Sequence, residues 1–174
     1  MRERTSTPLG GKIWASLLMC GFIGQVAWIV ENMYFATFAQ DIFENSPDAN
    51  HLYYLVTTLM VVLSALTATV TTIFAGALTD KVGKRKPFIS IGYIVWGLTI
   101  MLFATIDIDA AADNSTLVIA LFVVFDCVMT LVGSTANDAA FNAWVTDVTA
   151  GTNRGTANTI LSAIPVISTL ADIA

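Results

Sequence analysis

Five long apolar runs, at residues 13–38, 52–78, 88–106, 117–145 and 155–174, leave this chain little room for anything but membrane-spanning helices. A helix needs about 20 largely apolar residues to cross the hydrocarbon core of a bilayer. Lipid offers no partner to an open backbone, so each run must pair its own N–H and C=O groups, and all are too long for barrel strands. The fold class expected is all-α, a polytopic membrane helical bundle. Composition agrees: 12% of residues are charged and 56% hydrophobic, against about 25% charged in an average soluble domain. Pro47 and Pro87 fall at run boundaries, and Pro165 lies inside the fifth run, where it is expected to kink a helix. Arg2 and Arg4 ahead of an apolar run imitate a secretion signal, but the run is too long and lacks a small-residue cleavage site, so it reads as a retained helix.

The cations set the orientation. Arg2, Arg4 and Lys12 precede the first run, Lys81, Lys84, Arg85 and Lys86 separate the second from the third, and Arg154 separates the fourth from the fifth; these are all 8 Lys and Arg of the chain. The alternate loops carry Asp41, Glu44, Asp48, Asp107, Asp109 and Asp113 and no cation. Short loops rich in Lys and Arg stay in the cytoplasm. The N-terminus is therefore expected inside, in a protein integral to the plasma (inner) membrane with the lipid bilayer as its partner and no nucleic acid. Asn114-Ser115-Thr116 then falls outside, as a polar turn or a glycosylation acceptor. Trp14 and Trp144 near one interface, and Tyr53 and Tyr54 near the other, suit aromatic belts. Cys20 and Cys127 sit within apolar runs as small packing residues, and His51, the single histidine, cannot build a metal site alone.

Polar groups at bilayer depth are costly and face protein or a water-filled cavity. In the first run Gly21, Gly24, Gln25, Trp28, Glu31, Asn32 and Phe35 fall within about 60° of Trp28 at about 100° per residue. This stripe suits a helix lining a cavity, where an aromatic face holds a sugar ring and amides take its hydroxyls. The other reading is a helix–helix seam with polar glue. In the fourth run Asp126 lies near mid-depth, with Thr130, Gly133 and Asn137 on its face, while Asp138 and Asn142 form a second polar face nearer the cytoplasm. Asp126 and Asp138 are candidates for a coupling ion or a substrate, or for structural hydrogen bonds to a neighbouring helix. Asp172 in the fifth run is a weaker candidate. The second run carries hydroxyls but no charge before Asp80, and Ala65, Ala68, Thr72, Ala75 and Gly76 give it a small face for close packing.

Between the second and third runs stands Gly76-Ala77-Leu78-Thr79-Asp80-Lys81-Val82-Gly83-Lys84-Arg85-Lys86. The pattern Gly-x-Leu-x-Asp-Lys-x-Gly-Lys-Arg-Lys between two apolar helices resembles the signature loop of the major facilitator superfamily. The resemblance implies a solute transporter rather than an enzyme, in which this loop is a cytoplasmic latch between two halves. Gly76 would permit close contact with a helix of the other half, Asp80 would accept hydrogen bonds from that helix's N-terminus and pair with an arginine, and Lys84 and Arg85 would complete the charge network next to Gly83. The family has two six-helix halves built from inverted triplets. The five runs then correspond to the first five helices of an N-terminal half, with the C-terminal half of the same polypeptide missing.

A second stretch, Asn137-Asp138-Ala139-Ala140-Phe141-Asn142-Ala143-Trp144-Val145-Thr146-Asp147-Val148-Thr149 followed by Asn153-Arg154-Gly155, resembles the glycoside-pentoside-hexuronide and sucrose-type cation symporters. This resemblance implies transport of a sugar or similar polar organic solute with a cation, and puts Asp138 where a cation-binding carboxylate, a candidate Na⁺ site, would lie. Several of those symporters also carry carboxylates in the second helix, which this chain lacks, so H⁺ coupling and uncoupled transport stay open. No cofactor is expected beyond the coupling H⁺ or Na⁺. The solute path expected from the sequence comprises Gln25, Trp28, Glu31, Asn32, Asp126, Asn137, Asp138 and Asn142. Alternatives are an efflux transporter of hydrophobic drugs with the same loop, and a non-transporting membrane subunit. A two-aspartate membrane enzyme fits poorly, because Asp126 and Asp138 lie about 120° and about 18 Å apart on an ideal helix.

Overall fold

The computed structural model describes residues 9–46, 48–149 and 153–173. Arg2, Arg4, Pro47 and Ala174 lie outside the described residues, as does the side chain of Asp172. Helix α1 spans Gly11–Glu44, α2 Tyr53–Val82 and α3 Arg85–Leu102. Helix α4, Ala111–Gly133, continues through a wide π-helical stretch, Ser134–Phe141, into α5, Asn142–Val148, and α6 follows as Arg154–Ile173. Among the described residues there is no strand, and the all-α expectation holds.

Among the described residues four helical segments are long and apolar enough to cross a membrane: Gly11–Glu44, Tyr53–Val82, Arg85–Thr105 and Ala111–Val148. The fifth run is helical as expected, but α6 is not among those four. Asn158, Ser162, Pro165 and Ser168 dilute its apolar character, and α6 runs on through Pro165. Ala157, Ile164 and Ser168 are buried, while Val166 and Ile167 are exposed.

Local chemistry explains the helix ends. Helix α1 continues past Phe38 because Ala39, Ile42 and Phe43 are buried and hold its last turns, while Gln40, Asp41 and Glu44 face out. At 34 residues it is about 50 Å long, more than the hydrocarbon core needs. Helix α2 stops at Gly83, whose φ of 67° lies in the left-handed region and whose N–H donates to the Thr79 carbonyl at 3.0 Å; glycine takes this conformation without the Cβ clash. Helix α3 starts before Pro87, which is tolerated in a first turn because no hydrogen bond is lost there. Near the start of α4 the backbone of Asn114 leaves the helical region, and its Oδ1 accepts the N–H of Leu117 at 3.1 Å. Asn114-Ser115-Thr116 is thus a helix-capping turn.

The α4–α5 rod is the axis of the bundle, with α2 and α3 packed along its π-helical stretch and α1 leaning on α4 and α6. The widened turns press Ala136 against α3 at Gly92, where an added methyl would lie 2.6 Å from the Ala136 Cβ. Phe35, Phe38, Phe103, Phe122, Trp28 and Trp96 form the main apolar core. Leu17, Ile89, Phe141 and Val145 form a second cluster, flanked by Trp14 and Trp144. One end of the bundle joins α2, α3 and α5 through Asp80, Arg85 and Asp147. The other end brings the loop after α1 to the start of α4, where the Ser46 hydroxyl donates to the Ala111 carbonyl at 3.4 Å. Val61, Leu66, Ile73 and Phe74 on α2, and Ile91, Ile94, Leu98 and Met101 on α3, are exposed. An apolar exterior of this extent needs lipid as its solvent, so the chain is an integral membrane protein.

Candidate functional site

Two cavities meet at Trp28. The first, about 370 Å³, is walled by Trp28, Glu31, Asn32 and Phe35 of α1, Thr57, Met60 and Ser64 of α2, and Asp126 and Thr130 of α4. The second, about 570 Å³, is lined by Gln25 and Trp28 of α1, Asn137 and Asp138 of the π-helical stretch, Asn142 of α5, and Asn158 and Ser162 of α6. Their chemistry differs. Carboxylates, hydroxyls and apolar walls make the first, whereas amides surround a single carboxylate in the second. Trp28 is held from behind by Trp96, with ring centroids 5.1 Å apart in an edge-on arrangement.

In the first cavity Glu31 is 8% exposed and Asp126 3%. The Thr130 hydroxyl donates to Glu31 Oε1 at 3.4 Å, and the Ser64 hydroxyl donates to Asp126 Oδ2. Glu31 Oε2 is buried without a hydrogen-bond partner among the described residues. Asn32 turns its amide back on its own helix, donating to the Trp28 carbonyl at 2.6 Å. Ser64 was not singled out from the sequence, because nothing in the hydroxyl-rich α2 distinguishes it from its neighbours. Only the packing of α2 on α4 selects it.

In the second cavity Asn137 Nδ2 donates to Asp138 Oδ1 at 3.1 Å. The Tyr93 hydroxyl shares its one proton between Asn137 Oδ1, at 2.9 Å, and the Cys20 carbonyl, at 3.0 Å. A methyl on Gly24 would intrude on both Tyr93 and Asn137, so the glycines of the α1 stripe form a seam while Gln25, Trp28, Glu31 and Asn32 line cavities. One expected grouping is corrected. Asn137 does not share the face of Asp126. It joins Asp138 and Asn142, and Gly133 faces Trp96 of α3. For Asn137 the ideal angular spacing fails because that residue lies within the π-helical stretch, Ser134–Phe141. Cys20 and Cys127 are unbridged.

At the far end of the bundle Arg85 forms an ion pair with Asp80 at 2.7 Å and another with Asp147, and it approaches the buried Thr79 hydroxyl at 3.4 Å. A planar guanidinium can serve two carboxylates at once, which a lysine ammonium does less well. Lys84 is exposed, and a methyl on Gly76 would meet nothing within 4 Å in this chain. Asp147 is the residue of this cluster that the sequence reading left out of its site. Its only signal was an acid in the Trp144-Val145-Thr146-Asp147 stretch, at the end of the rod nearest the basic loop. Arg154 closes the rod, donating to the Thr146 carbonyl at 3.0 Å and the Thr149 carbonyl at 3.4 Å.

No curated protein and no solved structure matches this chain. Residues 17–171 match the family model described as Major Facilitator Superfamily. That match takes in both cavities, the Gly76–Lys86 loop and the α4–α5 rod, and with the lipid-facing helices it leads to one conclusion: the chain belongs to the major facilitator superfamily of membrane transporters.

Proposed function

We propose that this bundle forms one wall of an alternating-access path for a sugar or similar polar organic solute, moved together with H⁺ or Na⁺. The second cavity carries the reading. Its amides, from Gln25, Asn137, Asn142 and Asn158, line one space with the ring of Trp28, which suits a hydroxyl-rich ring solute. Asp138 or Asp126 takes the coupling cation, and the lack of carboxylates in α2 before Asp80 argues for H⁺ over Na⁺. The bundle lies in the plasma (inner) membrane with its N-terminus in the cytoplasm, supported by the gathering of Lys81, Lys84, Arg85, Lys86 and Arg154 at one end. The Asp80–Arg85 pair acts there as part of a latch against a second half of the transporter.

Reconstituted protein in proteoliposomes tests this reading. Radiolabelled sugars are expected to accumulate uphill under an inward proton gradient, and Asp138→Asn is expected to abolish accumulation while leaving exchange of preloaded solute measurable. If neither a proton gradient nor a sodium gradient drives any polar solute, the symport reading fails. A second reading, efflux of apolar compounds, draws on the Phe35 and Met60 walls of the first cavity. Inside-out vesicles separate the two, because an exporter fills them and a symporter does not.

A further inference from the structure

The first cavity has a charge problem that the sugar path does not explain. Glu31 and Asp126 are both more than nine-tenths buried. They come from two different helices onto one space. Ser64 and Thr130 each offer one hydroxyl proton, so the two carboxylates receive one side-chain hydrogen bond apiece. Glu31 Oε2, walled into the same cavity, receives none among the described residues.

Among the described residues no cation reaches this site. Lys12 at the start of α1 is 19 positions from Glu31, about 28 Å along the helix. Lys81, Lys84, Arg85 and Lys86 occupy the same end as Asp147. The ion pairs among the described residues belong to Arg85. A buried carboxylate left unpaired is strongly unfavourable, and positive charge from a ligand would relieve it.

The remaining walls narrow the class of that ligand. The cavity holds about 370 Å³, far more than a bare metal ion fills and within the range of small organic ligands. Trp28 and Phe35 contribute ring faces, and Met60, Ala65 and Ala68 contribute apolar surface. An ammonium group is drawn both to carboxylates and to the face of an indole, and the apolar walls would take the body that carries it.

We infer that the first cavity binds a solute bearing a protonated amine on a ring-sized body, with the ammonium held between Glu31 and Asp126 and the ring against Trp28. The body is either an amino-substituted sugar or an aromatic amine; the ammonium is common to both. The assignment rests on reading this bundle as a solute path, and it leaves Asp138 for the coupling cation.

Equilibrium binding to the purified full chain in detergent, followed by calorimetry, tests the inference without requiring transport. Two matched pairs serve as probes: glucosamine against glucose, and phenethylamine against phenethyl alcohol. At least one amine is expected to bind about tenfold or more tightly than its neutral partner. Glu31→Gln and Asp126→Asn, near-isosteric changes that remove buried charge, are each expected to erase most of that preference, with thermal melting showing that the fold persists. Preference in the glucosamine pair alone identifies an amino-sugar body, and preference in the phenethylamine pair alone an aromatic one. Equal affinities within both pairs, or a preference that survives in the folded Glu31→Gln and Asp126→Asn variants, overturns the inference. Gradient-driven uptake of neutral sugar alongside either result leaves the transport reading standing. Amine binding without any transport supports the site and counts against the transport reading alone.

Discussion

Arg85→Met is expected to lower solute uptake about tenfold while leaving the amount of inserted protein and its melting temperature nearly unchanged. The two halves of this expectation have separate causes. Asp80 is 65% exposed and Asp147 52%, and ion pairs this open to solvent contribute about 0–1 kcal/mol to stability. Their loss therefore hardly touches the fold. A transport cycle, however, is a balance between states, and a change of about 1.4 kcal/mol in that balance shifts populations tenfold. Without Arg85, Asp80 at the end of α2 and Asp147 at the end of α5 repel each other across the contact that the guanidinium now bridges. Arg85→Lys should fall in between, since one ammonium cannot reproduce the two-sided fork. Uptake rates normalised to inserted protein, measured beside melting curves, check both halves. Normal uptake by Arg85→Met would remove the loop from any account of the moving parts.

Gly133→Val acts in the opposite way, on the fold. A Cβ at position 133 would lie 2.6 Å from Trp96 Cε2, closer than packed atoms allow. Trp96 is 1% exposed and is wedged against Trp28 and Tyr93, so its indole has no free direction in which to retreat. Overpacking of this kind costs about 1–3 kcal/mol, and the upper end is expected because the obstacle is a rigid ring rather than a flexible chain end. The variant should melt well below the parent in detergent and yield less monodisperse protein on size exclusion. Gly97→Val, on the same helix as Trp96 but with nothing within 4 Å of an added Cβ, should show neither effect beyond the modest cost of helix propensity. Equal melting of the two variants would mean that the α3–α4 contact is looser than described.

The long apolar runs made the helices legible, because their length and hydropathy decide the solvent before any tertiary contact forms. The helix ends were less so. Nothing apolar carries α1 through Gln40 and Asp41; its continuation depends on Ile42 and Phe43 finding the bundle. The π-helical stretch was invisible, since Ser134–Phe141 contains no residue that demands it and its wide turns depend on the room that Gly92 leaves on α3. The candidate residues Gln25, Trp28, Glu31 and Asn32 were legible as a stripe because α1 is an uninterrupted α-helix there. Asn137 was assigned to the wrong face for the complementary reason. Ser64 and Asp147, each 62 positions from its partner, are contacts of the fold, and no spacing along the chain announces them.

The wide turns between Gly133 and Asn142 also fix the rotational phase of everything that follows them. Each ordinary helical residue advances its side chain by about 100°. Relaxing the same eight residues into a regular helix, with none removed, would swing Asn142 and Asp147 around the axis together. Asn142 would leave the amide-lined cavity as Asp147 left Arg85. A single local irregularity thus gears the polar lining in the middle of the bundle to the ion pair at its end, and neither can be re-aimed without turning the other.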